Sequence, residues 1–420
     1  MQNPLRSIQQ IFTQQSNSSF LFILITAFLS VMGIGLVIPV IPFIVIKYVS
    51  NSHPHTVAFY VGLLISSYAF CQFFGAPVLG ALSDRFGRRP VLLLCQLGSV
   101  IGYLLFGLGG SLWVLFLGRI IDGITGGDIS TIFAYVADIT EPRERGKSFG
   151  LIGAVIGLGF ILGPTIGGIA SNISLTAPFF LAAGVTILNM LFGFFVLPES
   201  LDPQQRSNNF TLKHLNPFVQ LQFALKKPTL RILLLAGLFY FLPFAVLQGI
   251  NAVFLKDTLH FTPFIIGLLF LLIGLFDIIT QGFLSGKLLP KFGEKRLMTA
   301  GLFFTGLFYL LSSFLTLVPS VYLVIFGTII YSFGSGLWEP AFNALVSHSS
   351  APQEQGRVQG ANQSVQSLTR IVGPLLAAGL YHIHWGLPYL SCAVLSLIGI
   401  WIVVSLIKPV TRTDVEYKNG

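Results

Sequence analysis

Twelve stretches of this chain are apolar for long enough to cross a bilayer as helix, which takes about 20 residues. With soft ends they run over 20–46, 58–82, 90–108, 112–138, 147–170, 175–197, 229–254, 262–286, 297–317, 320–347, 358–381 and 386–407. The expected fold class is therefore an all-α membrane protein of twelve transmembrane helices. A transmembrane β-barrel needs apolar and polar residues in alternation, and these runs are continuous. The first run is too long for the apolar core of a signal peptide and lacks the small-residue exit of one. Charge agrees with this reading. Only 9% of the 420 residues are charged, whereas soluble proteins carry roughly 25%. That excludes a soluble enzyme, a nucleic-acid binder and a disordered scaffold.

One polar stretch interrupts the pattern. Residues 199–228 contain Pro203, Pro217 and Pro228 and divide six spans from six. The expected organisation is a first six-helix bundle over 1–198, a cytoplasmic linker over 199–228 and a second bundle over 229–420. Within the linker, 213–227 reads as an amphipathic helix lying on the membrane surface.

The basic residues orient the chain. With the N-terminus placed in the cytoplasm, 20 of the 24 Lys and Arg fall in cytoplasmic segments. Lys47 and Lys256 fall outside, and Arg119 and Arg370 lie within spans. Both termini are thus expected inside, and the net charge of +9 is a topology signal. Nucleic acid is excluded as a partner, because no water-facing domain carries the charge. Cys71, Cys95 and Cys392 all lie in spans and read as packing residues. His53 and His55, and His382 and His384, form two H-x-H pairs in outer loops and read as loop polars. No metal-ligand spacing and no nucleotide loop is present. No metal or cofactor is expected, and energy has to come from a gradient.

The two halves repeat. Residues 80–87 align with 286–293, Gly118-Arg-Ile-Ile with Gly327-Thr-Ile-Ile, Glu144-Arg-Gly-Lys with Glu354-Gln-Gly-Arg, and Gly163-Pro164 with Gly373-Pro374. Both copies begin on the same side, so the repeat is parallel about an axis along the membrane normal. Two parallel-repeat bundles rocking about a midplane site are a secondary-transporter architecture.

Particular motifs carry a family resemblance. Gly80-Ala-Leu-Ser-Asp84-Arg85-Phe-Gly87-Arg88-Arg89 resembles the signature loop of the major facilitator superfamily, and Leu117-Gly118-Arg119-Ile-Ile-Asp122-Gly123 resembles its span 4 signature. The glycines at 153, 157, 159, 163, 167 and 168, with Pro164, resemble its span 5 antiporter signature. Gly33-Ile-Gly35-Leu-Val-Ile-Pro39, the Leu-Pro-Glu-Ser at 197–200 and Gln355-Gly-Arg-Val-Gln-Gly-Ala are similar to the tetracycline–proton antiporter branch. The resemblance spans 20–408. It implies the major facilitator fold, proton-coupled antiport that exports an amphipathic compound, and a multi-pass protein of the inner membrane acting as a monomer. The partners implied are a small-molecule substrate, protons and lipid. The branch also carries acids in spans 1, 3 and 9, where this chain has Ser30, Gly102 and Thr305. Tetracycline is therefore in doubt as substrate, and proton coupling has to reside elsewhere.

The resemblance further implies that Asp84, Arg88 and Asp138 form a cytoplasmic latch, with Gly80, Arg85 and Gly87 in the same loop. Gly153, Gly157, Gly163 and Gly167 lie at helical spacing and give span 5 a smooth face for close approach, with Pro164 as a bend. These are the expected gating residues.

Charges within spans are costly in lipid and mark function. Arg119 and Asp122 are three apart on one helix face and can pair. Asp128 and Glu339 occupy nearly symmetric positions of the repeat, and Asp277 and Arg370 lie near mid-span. Arg370 pairs either with Asp277 or with Glu339. Its repeat equivalent is Phe160, so this charge is an addition to the symmetric scaffold. Either Glu339 or Asp128 is expected to carry the proton, since a desolvated carboxyl can load and release protons near neutral pH. Arg119, Asp122 and Asp277 complete the coupling set. Arg370, Gln248, Asn251, Asn343, Gln363 and Gln366, with Tyr240, Phe244, Tyr331 and Trp338, are the expected substrate contacts, because aromatics with few charges suit an amphipathic molecule. The competing readings are an importer of a nutrient or lipid-like metabolite and, outside transport, a membrane enzyme or sensor. No nucleophile–base pair supports the enzyme.

Overall fold

The computed structural model describes residues 4–49, 53–141, 144–206, 218–349 and 355–407. In chain order the helices are α1 (Pro4–Val37), α2 (Ile41–Val45), α3 (Pro54–Phe86), α4 (Arg88–Leu108), α5 (Leu112–Ile124), α6 (Asp128–Ile139), α7 (Arg145–Ala170), α8 (Ala177–Val196), α9 (Phe218–Leu225), α10 (Pro228–Leu259), α11 (Pro263–Ile279), α12 (Gly286–Phe292), α13 (Glu294–Phe314), α14 (Val321–His348), α15 (Gln355–Ile383) and α16 (Leu387–Leu406). No strand occurs among the described residues. The expected 213–227 helix is present over its described part as α9; residues 213–217 lie outside the described residues.

Among the described residues, ten helices are long and apolar enough to cross a membrane. The other two spans depart from the pattern for different reasons. Span 4 is not one continuous helix. It breaks at Thr125-Gly126-Gly127 into α5 and α6, each too short to cross alone. Non-helical backbone at membrane depth is tolerated only where its polar groups find partners in protein. Here Gln72 Nε2 donates to the Gly126 carbonyl at 3.1 Å, and the hydroxyls of Ser130 and Thr131 donate to Gly127 O at 2.8 and 3.0 Å. Span 11, α15, is a single helix of 29 residues but a polar one, with Asn362, Gln363, Gln366 and Arg370 along it. The first run also divides. Pro39 and Pro42 remove backbone donors, and α1 ends at Val37 before the short α2. In span 8, α11 and α12 are joined by a wider π turn over Thr280–Ser285.

The chain forms two compact units. One comprises Met1–Tyr48, Ser67–Asn216 and Pro263–Gly267, the other Val49–Ser66, Pro217–Thr262 and Leu268–Gly420. Their internal packing repeats. In the first unit α1 packs on α7 and α8, and α4 on α5 and α8. In the second, α10 packs on α15 and α16, and α13 on α14 and α16. These are the same four pairings of spans, one half apart. In lipid, helix association relies on close packing of small residues rather than on expulsion of water. The seam of α1 with α7 shows it: a Cβ on Gly163 would stand 2.6 Å from Met32 O, and one on Gly159 2.7 Å from Phe28 O. In the second unit a Cβ on Gly249 would stand 2.6 Å from Pro374 Cα, and one on Gly373 2.6 Å from Ala245 Cβ.

Candidate functional site

Three groups of functional side chains emerge, two in the first unit and one in the second.

The loop between α3 and α4 builds the first. Gly87 turns the chain at φ +107°, a conformation that favours glycine. The turn lets Arg88 open α4 and point its guanidinium back along α3. Arg88 is buried, pairs with Asp84, and donates to Asp138 Oδ2 at 3.0 Å through Nε and to Ser83 Oγ at 2.8 Å. The expected trio of Asp84, Arg88 and Asp138 is thus assembled. A residue without a role in the sequence reading completes it. Glu199, from the Leu-Pro-Glu-Ser stretch, accepts the backbone N–H of Arg88 at 2.7 Å, of Arg89 at 3.3 Å, and of Ser200 and Leu201 at 3.1 Å each. A carboxylate at a helix N-terminus satisfies orphan donors and complements the dipole. Its carboxylate also fills the space a side chain at position 87 would need. Ser200 adds a bond to Asp138 at 3.0 Å. The available signal was an acid at a span end with nothing local to pair with. Arg85 is exposed and lies over the Phe86 ring, and a Cβ on Gly80 would meet nothing within 4 Å.

The second group lies inside the first unit. Arg119 and Asp122 are 5% and 4% exposed and approach to 3.9 Å. Asp122 Oδ1 accepts from Ser99 Oγ at 2.7 Å. The Arg119 guanidinium sits over the rings of Tyr68 and Phe106, at 5.1 and 5.4 Å, and its Nε has no hydrogen-bond partner. Cation–π contact offsets part of the burial cost. Asp128 opens α6 just past the break and lies near Ser30 on α1. A Cβ on Gly102 would stand 2.9 Å from Asp122 Cβ. The two positions where the resemblance leads one to expect acids, 30 and 102, each lie beside an acid of span 4. The third, Thr305, is buried in the α13–α14 seam; its hydroxyl bonds back to Gly301 O at 3.0 Å, and its methyl would stand 2.8 Å from a Cβ on Gly334.

The third group lies in the second unit. Asp277 on α11 accepts from Ser335 Oγ on α14 at 2.7 Å. Glu339, in the second half of α14, is exposed, and it lies in electrostatic range of both Arg370 on α15 and Asp277. The accessible faces of three helices carry most of the expected substrate contacts: Phe244 and Gln248 on α10, Asn343 beside Glu339 on α14, and Gln363 and Gln366 with Arg370 on α15. Three expected contacts are packed instead. Trp338 is wholly buried, with its ring stacked on Tyr240 at 4.8 Å and on Phe342 at 5.4 Å, so Trp338 and Tyr240 are core residues here. Tyr331 is buried against Phe308 and Tyr309. With Asn251, which accepts from Tyr389 at 3.0 Å, it lines a small, mostly apolar cavity inside this unit.

The span 5 glycines divide. Gly163 and Gly167 meet the α1 backbone, and Pro164 packs on Gly35, but a Cβ on Gly153 or Gly157 would meet nothing within 4 Å. The close-packing role expected of all four belongs to the distal half of α7 only. No group of His, Cys, Asp and Glu among the described residues is arranged to hold a metal.

Two repeated six-span bundles with ionisable side chains inside their helices define a secondary transporter of the membrane. The family model described as Major Facilitator Superfamily matches residues 23–251 and 233–420, and the chain belongs to that superfamily. It is 36% identical over 367 residues to the class C tetracycline resistance protein of Escherichia coli, covering 87% of this chain and 90% of that one. It is 30% identical over 392 residues to multidrug resistance protein 2 of Bacillus subtilis (strain 168), covering 92% and 94%. Among solved structures, the human organic anion transporter TETRAN superposes with a TM-score of 0.69 at 25% identity, covering 92% of this chain and 99% of that one. The chain is thus a transporter and not an enzyme.

Proposed function

We propose that this chain is a proton-coupled antiporter that exports an amphipathic organic compound across the inner membrane by alternating access. The observation that carries this reading is its likeness, over nearly its whole length, to both tetracycline and multidrug resistance proteins. The distribution of basic residues supports an orientation with both termini in the cytoplasm. Glu339 is the favoured proton carrier: it is a carboxylate within a span that is exposed and lies within reach of a cation on a different helix. Arg370 alternates between this carboxylate and substrate. Asp122 with Arg119 forms a more static pair, and Asp128 with Ser30 a second site of protonation. The accessible face of Phe244, Gln248, Asn343, Gln363 and Gln366 receives the substrate. Ser30, Gly102 and Thr305 carry no charge where the tetracycline branch has acids, which makes a neutral amphipathic compound a better candidate than tetracycline. Asp84, Arg88, Asp138 and Glu199 hold the cytoplasmic end of the first bundle in one of the two access states.

The deciding experiment is uptake into everted vesicles with an imposed proton gradient, run over a panel that includes tetracycline, ethidium and neutral aromatic compounds. Gradient-driven accumulation that Glu339→Gln abolishes is the expected result. Accumulation only in right-side-out vesicles would support the importer. Binding without flux would identify a sensor.

A further inference from the structure

The two H-x-H pairs, far apart in sequence and read as loop polars, meet in the structure. His53 stacks on His55 with ring centroids 5.4 Å apart and planes 9° apart. His55 meets His382 edge-on at 4.8 Å. The first two lie at the start of α3 and the third near the end of α15, the helix ends that the basic residues place outside. They cap a strip of contact between these two helices. Ser66 Oγ donates to Ile371 O at 2.7 Å, and a Cβ on Gly62 would stand 2.7 Å from Pro374 O and 3.3 Å from Ala378 Cβ. All of these residues belong to the second unit.

We propose that the three imidazoles form a proton-sensitive clasp that closes the outer ends of α3 and α15 together when neutral and releases them when charged. The contacts that Ser66 makes with Ile371, and Gly62 with Pro374 and Ala378, involve no ionisable side chain. Imidazole is the side-chain type whose charge changes in the physiological pH range. Neutral rings stack favourably, whereas two imidazolium rings about 5 Å apart repel. The other titratable groups on the elements that meet here do not neutralise that repulsion. Asp257 at the end of α10 is held by Lys256 and by the Tyr381 hydroxyl at 2.8 Å. His384 accepts the Gly386 N–H at 3.1 Å, and Tyr389 donates to Asn251. The end of α15 is thus tied to α10 by Tyr381 and Asp257, and to the start of α3 by the contact of His382 with His55. The sign follows: the clasp is closed at high pH and loosens as pH falls. An acidic exterior would favour release of the outer contact. That last step rests on the orientation given under Proposed function; the clasp itself does not depend on orientation or on what is transported.

The test uses the full chain in lipid nanodiscs, with Cys71, Cys95 and Cys392 replaced by Ala and spin labels at Phe59→Cys and Ile383→Cys. Both label sites are exposed, at 50% and 72%. Distances are measured by pulsed electron resonance from pH 8 to pH 5.5. The ratio of long to short distances is expected to rise roughly fourfold on acidification, the effect of one like-charge contact at about 5 Å in largely aqueous surroundings. His55→Gln with His382→Gln should remove that rise, and His55→Arg with His382→Arg should give the long distance already at pH 8. Carboxylates within the spans titrate in all of these variants, so any response of theirs persists in the Gln variant. A distance that ignores pH in the wild type, or a pH response unchanged in the Gln variant, overturns the clasp. Either result leaves proton-coupled export, measured by vesicle uptake, unaffected.

Discussion

In the first unit Asp122 is closed off by Ser99 and Arg119, all three side chains within one packed interior. In the second, Glu339 is exposed and its cation, Arg370, stands on a different helix. The spans that carry the two acids are repeat equivalents, yet one acid is paired within its own helix, whereas the cation that acts on the other stands on a second helix. A buried pair on one helix cannot separate without leaving a charge unsatisfied. Charges on two different helices change their separation whenever the helices move. On the reading proposed above, the repeat carries an anchor in one bundle and a switch in the other.

The most direct way to break that comparison is to neutralise each acid in turn. Glu339→Gln should abolish proton-driven uptake in vesicles while leaving the protein's thermal midpoint in detergent nearly unchanged. Asp122→Ala should do the reverse in kind, lowering stability by about 3–5 kcal/mol because it strands Arg119 in the interior. Thermal unfolding reads this, and adding Arg119→Leu should recover much of the loss. If Asp122→Ala left stability intact and only uptake failed, the anchor would be misassigned. A smaller effect separates the two halves of α7. Gly163→Val, against the α1 backbone, should cost about 1–3 kcal/mol by overpacking, while Gly157→Val should cost little in the same thermal assay. Glu199→Ala removes the carboxylate cap of α4 and should cost about 1 kcal/mol, seen as faster proteolysis of the loop that carries Gly87. Least of all, Ser335→Ala removes one interhelical hydrogen bond to Asp277, worth about 0.6 kcal/mol in a membrane bundle. It should sharpen the picture by shifting the pH profile of uptake more than its maximum.

Much of this was legible in the residues. Continuous apolar runs and the repeat at a half-chain offset follow one-dimensional rules, and the architecture agrees with them. The pairings of α1 with α7 and of α10 with α15 were foreshadowed by Gly163-Pro164 and Gly373-Pro374. Other features depend on distance in space and left little trace. Gly157 and Gly163 are alike by spacing, but only Gly163 has a neighbour. Trp338 and Tyr240 lie close to Glu339 in sequence or in depth, yet their rings turn into the bundle, because a large apolar ring gains more from stacking than from a polar face. Glu199 was visible as an acid at a span end, but two of the donors it satisfies, on Arg88 and Arg89, sit more than a hundred residues earlier. The meeting of His55 with His382 was hidden for the same reason.

The break in span 4 bears on how the chain enters the membrane. Neither α5, with 13 residues, nor α6, with 12, is long enough to be accepted as a spanning segment alone. Together they bring Arg119, Asp122 and Asp128, and each such charge adds about 2.5–3.5 kcal/mol to the cost of insertion at mid-bilayer. Span 4 must therefore be retained by neighbours already in place: α3, whose Gln72 binds the exposed Gly126 carbonyl, and α4, whose Ser99 receives Asp122. Its biogenesis is then ordered, with the hairpin of spans 2 and 3 acting as the template on which the least lipid-soluble segment of the first bundle is laid down.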